Sequence, residues 1–207
     1  MIKFVKKIYK GMVDMDLIIA SNNKGKIKEF KKILEPMGFD VYSQGDKNIN
    51  IEVEETGTTF EENAALKAQA IYDKMHTCVI SDDSGVEVEA LNNEPGIYSA
   101  RYKGLKTDSE RCKAILQELE GKDNRKARFV CSVCYIDETG EKHLFKAIWN
   151  GTIGFKEEGD NGFGYDPIFI PEDSNGKTVA SMPSEFKDTY SHRAKAVKML
   201  EEYLMNK

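Results

Sequence analysis

Two pairs of adjacent carboxylates, Glu54-Glu55 and Asp82-Asp83, are the residues of this chain best suited to chemistry. One pair precedes an expected helix and the other follows an expected strand, so both can lie at the same end of a sheet. Mg²⁺ takes oxygen ligands and is typically held by one or two protein carboxylates, several waters and a substrate phosphate. Glu54, Glu55, Asp82 and Asp83 are therefore candidate metal ligands, with Mg²⁺ the expected cofactor. A pair of solvated acidic turns is the alternative.

A second group could bind phosphate. Ser21-Asn22-Asn23-Lys24-Gly25-Lys26 lies between a buried-strand candidate and a helix, where free backbone N–H groups and the positive end of the helix dipole favour an anion. The spacing is not that of a Walker loop. The simpler alternative is a helix start capped by Asn23 with solvated lysines. Phe163-Gly164-Tyr165-Asp166 follows a glycine-rich stretch and sets two aromatic rings beside a carboxylate, a combination able to stack on a nucleobase and read its edge, with core or loop packing of the rings as the alternative. Ser191-His192-Arg193 puts two cationic or donor groups at a helix start, where the dipole disfavours them, so a ligand would explain them better. Both can donate to an acceptor such as a purine 6-oxo group.

The elements that must position these residues follow from periodicity. Leu17–Ala20 reads as a buried strand and Ile27, Phe30, Ile33 and Leu34 as a helix stripe stopped by Pro36 and Gly38. Thr59-Phe-Glu-Glu62 has capping-box spacing for a helix reaching Met75. Cys78–Ile80 and Val86–Ala90 read as strands flanking a turn at Asp82-Asp83. Thr107 opens a helix ended by Gly121, and Arg128–Ile136 and His143–Trp149 form a hairpin. Gly151–Gly164 reads as loop, and Ser191 caps a last helix burying Ala194, Val197, Leu200 and Leu204. Helices alternating with strands early and a hairpin later predict an α/β fold with a mixed sheet.

Composition narrows the classes. With 207 residues, 40% apolar and 31% charged, the chain is of ordinary globular type. A net charge of −5 argues against nucleic-acid coating, and no apolar run is long enough to span a bilayer. Membrane and nucleic-acid partners are not expected, and a cytoplasmic setting is. Residues 1–14, rich in lysine, read as an extension ahead of one domain over 15–207. Cys131 and Cys134, three apart in a strand, point to opposite faces, so all four cysteines are expected as reduced thiols.

Six fragments in order carry a resemblance: Ser21-x-Asn23-x-x-Lys26-x-x-Glu29, Glu54-Glu55-Thr-Gly-x-Thr-Phe-x-Glu-Asn63, Asp82-Asp83-Ser84-Gly85, Pro95-Gly-Ile-Tyr-Ser-Ala-Arg101, Phe163-Gly-Tyr-Asp166 and Ser191-His192-Arg193. From Met15 onward the chain resembles the inosine triphosphate pyrophosphatase family. The resemblance implies an elongated mixed sheet flanked by helices, with two lobes around a substrate cleft. It further implies a homodimer and Mg²⁺-dependent cleavage of ITP, dITP and XTP to the monophosphate and pyrophosphate. Carried over by position, Ser21 through Lys26 and Lys67 would hold the triphosphate, and Asp83 would bind metal or activate water. Ser84 would contact substrate; Phe163 to Asp166, Lys187, His192 and Arg193 would form the base pocket. Glu55 is the favoured metal ligand of its pair. Pro183–Tyr190 departs from the family pattern around Lys187. The rivals are a phosphatase of haloacid-dehalogenase type, against which stands the lack of an Asp-x-Asp pair after the first strand, and a nucleotide sensor without turnover.

Overall fold

The structure, a computed structural model, describes residues 16–49 and 51–206. The lysine-rich extension lies outside the described residues. In chain order the elements are β1 (Asp16–Ile19), α1 (Lys24–Leu34), β2 (Asp40–Ser43), α2 (Phe60–Met75), β3 (Cys78–Val88), β4 (Glu94–Pro95), α3 (Asp108–Glu118), β5 (Lys126–Ile136), β6 (Lys142–Ile153), β7 (Phe169–Pro171), α4 (Ser184–Tyr190) and α5 (His192–Met205). The strands pair in the order β2-β1-β3-β5-β6-β7, with β4 attached to β3. β1 runs parallel to β2 and β3, whereas β3–β4 and β6–β7 are antiparallel. The sheet is mixed, as the alternation of elements predicts.

The chain forms two compact units. The first comprises residues up to Asp83 with Ser132–Lys146 and Ala196 onward; the second comprises Ser84–Cys131 and Ala147–Lys195. Each has its own core. In the first, Ile18, Ala64, Ala68, Ile71, Val79, Cys134 and Ile136 pack together. In the second, Val86, Cys112, Ile115, Phe129, Trp149, Tyr165, Ile168 and Phe169 do so.

Local signals place most element ends. Asn23 caps α1, its side chain accepting from Lys26 N–H, and Gly38 closes the following short 3₁₀ turn with φ of 98°. Thr107 and Glu110 complete a reciprocal capping box on α3. At α2 the box is half formed: Thr59 accepts from Glu62 N–H, but the Glu62 carboxylate turns to Thr58 instead. All four cysteines are buried and free.

Three expectations are corrected. Asp82-Asp83 is not a turn, because β3 runs unbroken from Cys78 to Val88 through the pair. The carboxylates tolerate burial there because lysine and asparagine side chains meet them, so the extended backbone need not open to water. The stretch from Gly151 starts as strand, with Gly151 to Ile153 paired to β7. Pro183–Tyr190 holds a helix, α4, which the sequence reading did not anticipate.

Candidate active site

In the first unit the chemistry gathers around Asp83. Strand alternation sends Ser81 and Asp83 to one face of β3 and Asp82 to the other. Ser81 Oγ donates to the Ala64 carbonyl of α2 at 2.5 Å. Asp83 meets the same helix twice: Lys67 Nζ lies 3.2 Å from its Oδ1, and Asn63 Nδ2 donates to its Oδ2 at 3.3 Å. Asn63 and Lys67 stand one helical turn apart, which is why both reach one carboxylate. Lys67 also donates to Glu55 Oε1 at 2.7 Å. On the opposite face of β3, Asp82 Oδ2 pairs with Lys26 Nζ at 3.1 Å.

The electrostatics follow from burial. Desolvation raises the Asp83 carboxyl above the ordinary carboxylate range; Lys67 and Lys26 pull it down, and Glu55 and Asp82 push it up again. For Lys67, burial works against the charged form, yet Asp83, Asp82 and Glu55 together outweigh it and hold the ammonium above its usual value. Of the acidic pair before α2, Glu55 is drawn into this cluster, whereas Glu54 is exposed. Asn22, Asn23 and Lys24 are exposed at the start of α1, with Ser21, Gly25 and Lys26 half-buried. The capping role of Asn23 is therefore real, and it leaves the open helix start intact.

In the second unit Asp166 organises the glycine-rich loop. It is 1% exposed, and its Oδ2 accepts from Phe163 N–H at 2.9 Å and from Lys187 Nζ at 2.6 Å. Gly162, at φ of +81°, lets the loop close on this carboxylate: a Cβ there would stand 2.0 Å from Asp166 Oδ2. Lys187 also lies 4.2 Å from the centre of the half-exposed Phe163 ring, a cation–π contact. Gly164 N–H donates to Asp108. His192 is buried and stacks on Phe129, with ring centres 4.7 Å apart. Arg193 is fully buried and donates to Ser84 Oγ at 2.9 Å.

Tyr165 does not match its expected place. Its ring is in the core, 4% exposed, and its hydroxyl donates to the Ser99 carbonyl. Of the two rings in Phe163–Asp166, only Phe163 is open to a ligand.

A model of the Ham1 family matches residues 17–203. The chain belongs to the Ham1 family. It is 47% identical over 188 residues to a dITP/XTP pyrophosphatase of Exiguobacterium, covering 90% of this chain and 95% of that one. To the dITP/XTP pyrophosphatase of Bacillus subtilis it is 45% identical over 192 residues, 91% and 96% of the two chains. The solved Ham1 protein of Staphylococcus aureus superposes with a TM-score of 0.82 at 43% identity, covering 92% of this chain and 98% of that one. That of Coxiella burnetii superposes with 0.83 at 33%, covering 93% and 100%. The resemblance to the inosine triphosphate pyrophosphatases and the mixed α/β fold are thus borne out.

The Ham1 chain also holds residues that motif reading did not single out. Asn63 stands four residues before Lys67, a spacing that sets both on one face of α2. A further group, Asp137, Glu141 and His143, brings three ligand-type atoms within 4.8 Å of one another on the β5–β6 hairpin. Asp137 Oδ1 there accepts from the N–H groups of Thr139 and Glu141 and from the Thr139 hydroxyl, and Oδ2 meets His143. These contacts brace the hairpin of the Ham1 fold.

Proposed function

We propose that this chain hydrolyses ITP, dITP and XTP to the nucleoside monophosphate and pyrophosphate with Mg²⁺. The observation that carries the reading is Lys67 Nζ placed 2.7 Å from Glu55 and 3.2 Å from Asp83. Two carboxylates converging on one positive centre, both offering oxygen, suit Mg²⁺. Glu55 and Asp83 would hold the ion, which when bound supplies charge neutralisation and lowers the pKa of water. Lys26, Lys67 and the N-terminus of α1 offset the charge of the phosphates. Asp83 accepts the proton of the attacking water. Substrate hydrolases of matching name among the relatives support the reaction class.

Base choice rests on the second unit. The Phe163 ring stacks, Lys187 and Asp166 hold the loop, and donors on His192 and Arg193 meet a 6-oxo acceptor, with Ser84 contacting the substrate beside Arg193. An adenine amino group offers no such acceptor, which is worth about 10²-fold or more in turnover. Residues 15–207 act as one pyrophosphatase domain, a reading supported by the family match across both units. The homodimer and the cytoplasmic setting follow the resemblance; among the described residues no helix is long and apolar enough to cross a membrane.

A nucleotide panel with and without Mg²⁺ tests the reading. Pyrophosphate should be released from ITP, dITP and XTP, and only with the metal. Orthophosphate as the product would replace it with a phosphatase reading, binding without turnover would replace it with a sensor, and equal rates on ITP and ATP would remove the proposed base readout.

A further inference from the structure

Asn63 is completely buried at the start of α2, yet both ends of its side-chain amide are engaged. Oδ1 accepts from Gly57 N–H at 2.9 Å, and Nδ2 donates to Asp83 Oδ2 at 3.3 Å. The two partners have opposite demands, a donor in the loop and an anionic acceptor on the strand. A primary amide of this length meets both at once; a carboxylate or an apolar group does not. The approach is close on the loop side: a Cβ at Gly57 would fall 2.7 Å from Asn63 Oδ1 and 2.7 Å from Glu62 Cβ. Gly57 follows Glu55 by two residues, so the bond from Asn63 ties down the loop that delivers Glu55.

The geometry points to Asn63 as a positioning residue that sets the Glu55 loop and the Asp83 carboxylate in register for cation binding. Three contacts from one helix face then define the site: Lys67 on Asp83 Oδ1, Asn63 on Asp83 Oδ2, and Lys67 on Glu55. Other bonds at the same loop, from Thr58 to Glu62 and from Glu62 N–H to Thr59, are exposed and hold the helix start without touching either site carboxylate. Groups that orient metal ligands from behind commonly change metal affinity or activity by about 10–100-fold when removed. The inference rests on the assignment of Glu55 and Asp83 as the metal carboxylates.

Asn63→Leu keeps the number and branching of the side-chain heavy atoms, though it is bulkier, and removes both bonds; Gly57→Ala leaves Asn63 in place and presses on it from the loop. For each, Mn²⁺ binding is titrated by electron paramagnetic resonance, and pyrophosphate release is followed against Mg²⁺, with melting curves to establish folding. Both variants should weaken Mn²⁺ binding, Asn63→Leu by about 10–100-fold, and raise the Mg²⁺ needed for half-maximal rate, while the KM for nucleotide at saturating metal changes far less. Should Asn63→Leu fail to fold, Gly57→Ala carries the test. Folded variants with wild-type Mn²⁺ affinity and Mg²⁺ dependence would make Asn63 a packing residue only and overturn the inference. A wild-type chain that binds no Mn²⁺ and releases no pyrophosphate would instead overturn the metal assignment beneath it, a separate result.

Discussion

Both units bury a lysine against a carboxylate, but in different arrangements. In the first, Lys67 is shared by Glu55 and Asp83, while Asp82 on the other face of β3 pairs with Lys26. In the second, Lys187 Nζ meets the Asp166 carboxylate, which also accepts from Phe163 N–H, and the buried Arg193 donates to the Ser84 hydroxyl. A lysine shared by two carboxylates leaves oxygen atoms that a further cation can join, whereas a lysine set on a carboxylate that also holds a backbone N–H braces a loop.

Breaking the Lys187–Asp166 pair should cost the most. Lys187→Met leaves Asp166 buried without its cation, and the chain should lose about 3–5 kcal/mol of stability in urea unfolding, with no recovery on adding Mg²⁺. Lys67→Met should behave differently. Turnover should fall roughly 10²–10³-fold, the usual scale for one removed electrostatic group. Its stability loss should be largely reversed by Mg²⁺, because the released carboxylates can take up an ion. If Mg²⁺ rescued both variants or neither, the contrast between the two units would fail.

The smallest effect concerns the thiols. Burial pushes Cys112 up to about 12 and Cys134 up to about 11. A raised pKa means less thiolate, so both thiols stay protonated and unreactive in the fold at pH 8. Iodoacetamide should leave the native chain unlabelled at that pH and label it readily once unfolded. Rapid native labelling of Cys112 would contradict the burial described for the second unit.

The sequence showed the fold well where the signals are local. Asn23, Thr107 and Ser191 announced their helices, because caps depend on neighbours a few residues away. Asp82-Asp83 misled for the opposite reason. Adjacent carboxylates are normally turn residues, and only side chains distant in sequence, Lys26, Asn63 and Lys67, let a strand pass through them. Tyr165 misled similarly, since nothing nearby says that Ser99 will accept its hydroxyl in the core. Site residues such as Glu55 and Asp83 could be nominated by type, but their convergence on Lys67 is a tertiary fact.

On the proposed function, the phosphoanhydride is hydrolysed at the Asp83 cluster. Asp83→Asn removes the charge while keeping the shape, so single-turnover cleavage of ITP at saturating Mg²⁺, with nucleotide binding measured in parallel, tests it most directly. Cleavage should fall by about 10²–10⁴-fold with nucleotide still bound; near wild-type cleavage by Asp83→Asn would contradict the account.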